Sequence, residues 1–173
     1  YKIVHRLDSN TTGLVILAKS NKTARFFQEL FKNKTIKKTY LAEIKGQVIM
    51  DEFESNISFS SKKSFGGKRS LENGNIEAQT KFKVLKRHSK TTTLEITPST
   101  GKTNQIRVHL AGLGHPILGD IGYIEKNYFE TNPFTYPDDS LFLHAWKLKF
   151  PTPKNDDLLE LKAPIPEKFT FAT

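Results

Sequence analysis

The sequence predicts an α+β domain, a mixed and mostly antiparallel central sheet with flanking helices and loops. Short alternating or apolar runs outnumber the stretches with helical periodicity. The runs that are neighbours in sequence are joined by turns rather than by long crossovers, which disfavours a doubly wound parallel sheet. With 173 residues and 13 Phe there is enough apolar material for one core, and nothing requires a second domain.

Taken in order, residues 3–7 and 14–18 read as strands flanking a tight turn at Asp8, the second a continuous apolar run of the kind buried on both faces. Ser20 can cap a helix over 21–32, where Ala24, Phe27, Leu30 and Phe31 share one face and belong to the core. Residues 39–45 alternate and stop at Gly46, which places Tyr40 at the start of a strand, near a sheet end. Residues 51–75 turn polar, with Gly66-Gly67 and Asn73-Gly74 marking loops or a hairpin turn. Strands over 76–87 and 91–97 are joined by His88-Ser89-Lys90, and Pro98 ends the second. Thr103 or Asn104 can cap a short helix running to about Leu113, closed by Gly114 and then Pro116. Strands over 141–150 and 158–162, with a turn at 151–156, finish the chain.

A formal charge of +9, from 27 Lys and Arg against 18 Asp and Glu, favours an anionic partner, nucleic acid first. Basic clusters lie at Lys32, Lys34, Lys37 and Lys38, at Lys62, Lys63, Lys68 and Arg69, and at Lys81, Lys83, Lys86 and Arg87. With no cysteine, disulfides and thiolate zinc sites are excluded, which agrees with a cytoplasmic protein. The apolar runs are too short to span a bilayer, so no membrane association is expected. The chain opens at Tyr1 without an initiator Met, and a missing N-terminal portion is expected.

The chemistry-bearing residues gather in two segments. In His5-Arg6-Leu7-Asp8-Ser9-Asn10-Thr11-Thr12-Gly13, a carboxylate sits on a turn between apolar runs with an arginine two residues away. Taken alone, such an Asp is a common turn or cap residue, its oxygens satisfying nearby backbone donors. The second segment, Thr100-Gly101-Lys102-Thr103-Asn104-Gln105-Ile106-Arg107-Val108-His109, continues through His115-Pro116 to Gly119-Asp120. Arg107 falls in the first turn of the short helix, where the dipole disfavours a cation unless an anion pairs with it.

Together these segments strongly resemble the RluA-type family of RNA pseudouridine synthases. The resemblance extends through Lys38-Thr39-Tyr40-Leu41-Ala42 and through Leu143-His144-Ala145-Trp146 with Phe150-Pro151, in the family's order and rough spacing. Two positions depart from it: Asn104 stands where the family usually has His, and Lys102 where it often has Arg. The resemblance implies a pseudouridine synthase catalytic domain over 1–173 that isomerises uridine in structured ribosomal or transfer RNA. It assigns the essential carboxylate to Asp8, which would either attack sugar or base covalently or remove a sugar proton. It makes Arg107 the bidentate partner that orients Asp8 and keeps it ionised. Tyr40 would stack on the extracted uracil and join the late proton transfer, and Leu143 would wall the base. Arg6 is the candidate for filling the space the flipped base leaves, Lys102 for a phosphate contact, and Asn104 for an RNA hydrogen bond or a helix cap. No cofactor and no metal is expected, and the enzyme is expected to act as a monomer.

Two other readings compete. A metal-dependent phosphohydrolase could use His5, Asp8, His109, His115 and Asp120, although no spacing matches a named metal motif and Arg107 would repel a cation. A non-catalytic RNA-binding module would explain the charge without turnover.

Overall fold

The computed structural model describes residues 1–60, 74–123, 141–153 and 157–169. The elements follow as β1 (Lys2–Ile3), β2 (Thr12–Gly13), β3 (Leu17–Ala18), α1 (Asn21–Lys32), β4 (Lys37–Lys45), β5 (Glu52–Ser55), β6 (Thr80–Arg87), β7 (Thr91–Pro98), α2 (Gln105–Gly112), β8 (Leu143–Pro151) and β9 (Leu158–Lys162). The main sheet runs β2-β8-β4-β7-β6-β5, with β9 also on β8; β1 and β3 form a separate pair. Among the described residues only β2 on β8 is parallel, and the other pairs are antiparallel. The α+β expectation therefore stands. Among the described residues no helix is long and apolar enough to cross a membrane.

A bulge decides which way β8 faces. Lys38 pairs with Leu148, Tyr40 with Ala145 and Ala42 with Leu143, so Trp146 is an extra residue on β8. Cross-strand partners share a face, and Lys38, Tyr40 and Ala42 alternate onto one side of β4. Leu143, Ala145 and Leu148 therefore all point to that side despite their odd spacing.

Of three apolar clusters among the described residues, two lie on this side of the sheet around the site. One packs Ala42, Ile44, Phe82, Leu94, Ile96 and Leu143 against Ile106 and Leu110 of α2. The other packs Ile36, Leu148 and Phe150 against Phe27, Leu30 and Phe31 of α1. Phe27 meets Phe150 edge-on at 5.3 Å, and burying one such ring is worth about 1.5–3 kcal/mol. Lys38 and Tyr40 lie on β4 between the two clusters, where the sheet face is left open for a site.

The predicted helix over 21–32 forms as expected. Ser20 is extended and its Oγ accepts the Thr23 N–H at 3.1 Å, while Ala24 and Phe27 are buried. Three expectations are corrected. The strands predicted over 3–7 and 14–18 shrink to two-residue pairs, and the second is not buried on both faces, since Val15 and Leu17 are exposed. The polar stretch after Asp51 contains a strand, β5, whose alternating Glu52-Phe53-Glu54-Ser55 places Phe53 on Phe82 with rings stacked at 4.8 Å. Finally, the strand predicted from residue 76 joins the sheet only at Thr80; Ile76 makes an isolated bridge to Phe59. The turns expected at Gly66-Gly67 and at 154–156, and the basic cluster at Lys62–Arg69, lie outside the described residues.

Candidate active site

The Asp8 loop is fastened at both ends. At its far side the Thr11 N–H donates to the Asp8 carbonyl at 3.1 Å and closes a turn. Beyond it β2 zips onto β8, with Leu14 N–H donating to Ala145 O at 2.9 Å and Thr12 Oγ1 bonded to His144 Nδ1 at 2.8 Å. Before the turn, His5 Nε2 accepts the Ile16 N–H at 2.9 Å and its ring lies 4.7 Å from that of Phe31. An acceptor nitrogen requires the neutral ring, and burial, aided by nearby Lys38, does lower the proton affinity of His5.

Opposite this loop, the segment before α2 is held by one buried amide. Gln105 Oε1 accepts from Thr100 Oγ1 at 2.7 Å and from Lys102 N–H at 3.0 Å, while Nε2 donates to Gln79 O and Thr80 Oγ1, both at 2.9 Å. All four bonds of the side chain are made. The loop 100–105 is thereby tied to the start of β6.

Between the two segments lies a cavity of about 190 Å³, lined by Arg6, Asp8, Lys38, Tyr40, Lys102 and Leu143, among others. The structure thus brings together five of the seven residues singled out in the sequence. Arg107 and Asn104 are not among its lining residues.

The expected pairing of Arg107 with Asp8 is corrected. Arg107 Nε and Nη2 donate to Asp120 Oδ2 and Oδ1, both at 2.8 Å, and Nη1 donates to Asn104 Oδ1 at 3.1 Å. This fork is nearly dry, with side-chain exposures of 15% for Arg107 and 1% for Asp120. Burial disfavours the Arg107 charge, but the Asp120 hydrogen bonds and charge, with Asp8 behind them, more than offset it. Asp8 feels the guanidinium only as a charge at longer range.

Asp8 itself was expected to be held firmly ionised. Its proton affinity is instead raised: loss of solvent outweighs the Asn104 backbone amide facing it and the charges of Arg107 and Arg6, and Asp120 adds a further repulsive contribution. A desolvated carboxylate is a stronger base and nucleophile than one in water, which suits either first step open to it.

Asn104 is the N-cap of α2 but not through its side chain. It sits in the left-handed region at φ 58°, makes no side-chain cap, and spends its amide oxygen on Arg107. Its backbone N–H faces Asp8 and favours the ionised carboxylate. The expectation of an Asn104 side-chain cap is therefore corrected, because the oxygen is engaged elsewhere.

Lys38 was read in the sequence only as part of a basic cluster and a motif. It lines the cavity, and burial lowers its proton affinity, partly offset by the Asp8 carboxylate. Tyr40 is pushed up to about 12 by burial and by the same negative charge. The Lys38-x-Tyr40 spacing of two, which puts both on one strand face, was the available signal for Lys38. Nothing comparable marked Gln105 or Asp120.

The ligands of the phosphohydrolase reading are not brought together. His109 bonds Ile57 O and His115 bonds Lys45 O, while Asp120 is committed to Arg107. Among the described residues no group of three or more His, Cys, Asp or Glu could hold a metal ion.

A family model described as RNA pseudouridylate synthase matches residues 1–112. The chain belongs to that family. It is similar to the ribosomal large subunit pseudouridine synthase C of Vibrio parahaemolyticus, 35% identical over 167 residues that cover 96% of this chain and 52% of that protein. It is also similar to the dual-specificity RNA pseudouridine synthase RluA of Vibrio cholerae, 34% identical over 165 residues covering 95% of this chain and 64% of that one. Among solved structures, human RNA pseudouridylate synthase domain containing 1 superposes with a TM-score of 0.81 at 27% identity, covering 95% of this chain and 69% of the other. The chain spans about half the length of the ribosomal synthases it matches.

Proposed function

We propose that this pseudouridylate synthase family member isomerises uridine to pseudouridine in RNA, with Asp8 as the catalytic carboxylate. The observation that carries the proposal is a desolvated carboxylate facing an aromatic and an aliphatic wall, Tyr40 and Leu143, in a cavity rimmed by Arg6, Lys38 and Lys102. Anionic backbone, flat base and reacting sugar each have a complementary surface there.

A cavity this small cannot admit a paired duplex, so the target nucleotide enters flipped out of its stack, with Arg6 suited to the space it leaves. Asp8 then attacks covalently or removes a sugar proton, and the N1–C1′ bond breaks; the covalent bond to Asp8 is cleaved again, or the sugar proton returned, before product leaves. The base turns against Tyr40 and Leu143, the C5–C1′ bond forms, and C5 loses its proton while N1 gains one, so the reaction is redox-neutral. Tyr40 enters as a neutral phenol, since its hydroxyl titrates only at about 12. It can stack on the base, and it takes the C5 proton only while passing on its own.

Ribosomal RNA is the proposed substrate because relatives similar over nearly the whole chain carry that name, and transfer RNA is kept because one relative is named as dual-specificity. The same proposal places the enzyme in the cytoplasm, as a monomer. The deciding experiment is release of tritium from RNA labelled at uridine C5, using the full-length protein and its Asp8→Asn variant. Release by the parent and none by the variant, with RNA binding retained, is expected. Binding without release by the parent would mean a non-catalytic RNA-binding module.

A further inference from the structure

Asp120 belongs to no part of the reaction as described above, yet it is only 2% exposed and takes both main prongs of the Arg107 fork. Its position is set by the sheet. Past Ala42, where β8 no longer covers β4, residues 116–118 take its place: Lys45 N–H donates to Pro116 O and Leu118 N–H to Glu43 O, both at 2.9 Å. Two residues further on, Asp120 Oδ1 also accepts the Gly122 N–H at 3.1 Å, and the Arg107 guanidinium lies over the Tyr123 ring at 5.1 Å. The carboxylate is thus anchored by groups independent of the cavity.

We propose that Asp120 is a positioning residue for Asp8: it clamps Arg107, Arg107 holds the Asn104 side chain, and Asn104 thereby presents its backbone N–H to the Asp8 carboxylate. The inference rests on the catalytic reading of Asp8. Two features of the geometry separate this from an ordinary buried ion pair. The third donor of the fork goes to the residue whose left-handed backbone faces Asp8, so loosening Arg107 releases that residue as well. And a neutralised guanidinium beside Asp8 leaves that carboxylate with an opposing charge at a distance rather than a direct salt bridge, which preserves its basicity. The repulsion that Asp120 exerts on Asp8 acts in the same direction.

The groups facing Asp8 are Arg6 on its own loop, Lys38 and Tyr40 from β4, Lys102 ahead of α2 and Arg107 on α2, with Asp120 behind. Of these, only Arg107 and Asp120 form a pair whose members act on Asp8 with opposite sign. The test therefore follows the Asp8 carboxyl by carbon-detected NMR titration, alongside single-turnover rates at saturating RNA. Asp120→Asn is expected to raise the Asp8 titration point, because withdrawing the Asn104 N–H removes a larger influence than the Asp120 repulsion lost with it, and to cut the rate by roughly 10- to 100-fold, as losing a partner that orients a reacting group commonly does. Arg107→Met is expected to raise it further, losing the guanidinium charge together with the hold on Asn104.

Asp120→Asn leaves a buried guanidinium short of its partner and can fail to fold. Asn104→Gly keeps the left-handed backbone and both charges but cuts the side-chain link to Arg107, and its Asp8 is expected to titrate above that of the parent. An Asp8 titration point that Asp120→Asn leaves unmoved or lowers, or that Asn104→Gly leaves unmoved, overturns the proposal and leaves Asp120 a structural ion pair. The titration does not depend on turnover. A parent protein that releases no tritium while its Asp8 responds as expected would overturn the catalytic reading and not the coupling.

Discussion

Gly13→Ala tests whether the Asp8 loop is held in place by its seam on β8. Gly13 has φ +115°, a conformation open to glycine and strained for any side chain, and it pairs with Ala145 in the parallel β2–β8 contact. A methyl group there would lie 2.2 Å from the Ala145 carbonyl oxygen and 2.7 Å from that residue's carbonyl carbon and nitrogen, where ordinary contact begins at 3.4 Å. All three atoms are backbone in a strand held on its other side by β4, so β8 cannot yield. The loop must move by more than about 1 Å, which breaks the Leu14 N–H bond to Ala145 O. Forcing the backbone costs about 1–3 kcal/mol, and the lost hydrogen bond about 1 kcal/mol more. At roughly 2–4 °C per kcal/mol for a domain of this size, a total near 3 kcal/mol lowers the melting temperature by about 6–12 °C.

Circular dichroism melts of parent and variant measure this directly, and tritium release below the variant's melting point reports the site. Displacing the loop should reduce turnover more than RNA affinity, since the basic clusters at Lys32 to Lys38 and Lys81 to Arg87 lie outside it. A melting temperature within about 2 °C of the parent would refute the reasoning, because the clash would then have been relieved without disturbing the seam.

Other outcomes follow from the same geometry. Asp8→Asn should raise the melting temperature at pH 7: desolvation raises the folded-state titration point of Asp8, so its ionised form costs stability above that point, and the gain should vanish as pH falls below it. Equal melting at neutral pH would mean the carboxylate is not desolvated. Tyr40→Phe keeps the stacking surface but loses the hydroxyl, so single-turnover rate should fall by roughly 10²-fold or more with little change in RNA affinity; an unchanged rate would leave Tyr40 only a stacking platform. Leu143→Ala, at a position 2% exposed that also lines the cavity, should destabilise by about 2–5 kcal/mol in urea melts and weaken substrate binding. RNA affinity, driven by the +9 charge, should fall steeply and log-linearly with salt, and a flat titration would count against nucleic acid as partner.

The sequence showed those parts of the site whose geometry is local. Asp8 lies on a turn set by its own neighbours, Tyr40 and Lys38 share a strand face by spacing alone, and Ser20 caps α1 within one helical turn. Even there, tertiary context intervened. Residues 14–18 read as a strand buried on both faces, whereas only Leu17–Ala18 forms a strand, and Val15 and Leu17 are exposed. β5 escaped notice because an edge strand with charges on one face has a single apolar residue, Phe53, to betray it.

What sequence alone could not supply was the partner of Arg107. A first-turn cation demands an anion, and of the two carboxylates near Arg107 it is Asp120 and not Asp8 that receives the fork. Asp120 reaches the fork because residues 116–118 add to the edge of β4 that β8 leaves free, an event fixed by pairing between segments more than 70 positions apart. No periodicity in 105–120 encodes it. A carboxylate followed by Ile-Gly reads locally as a turn, and the structure shows that it is one, with Gly122 N–H on its oxygen. The turn and the clamp are the same residue, so the local reading was complete as far as it went and still missed its larger role. The consequence is chemical: with Arg107 occupied by Asp120, Asp8 retains the basicity that a direct salt bridge would have taken from it, and what the fold supplies at the centre of the site is the withholding of a partner.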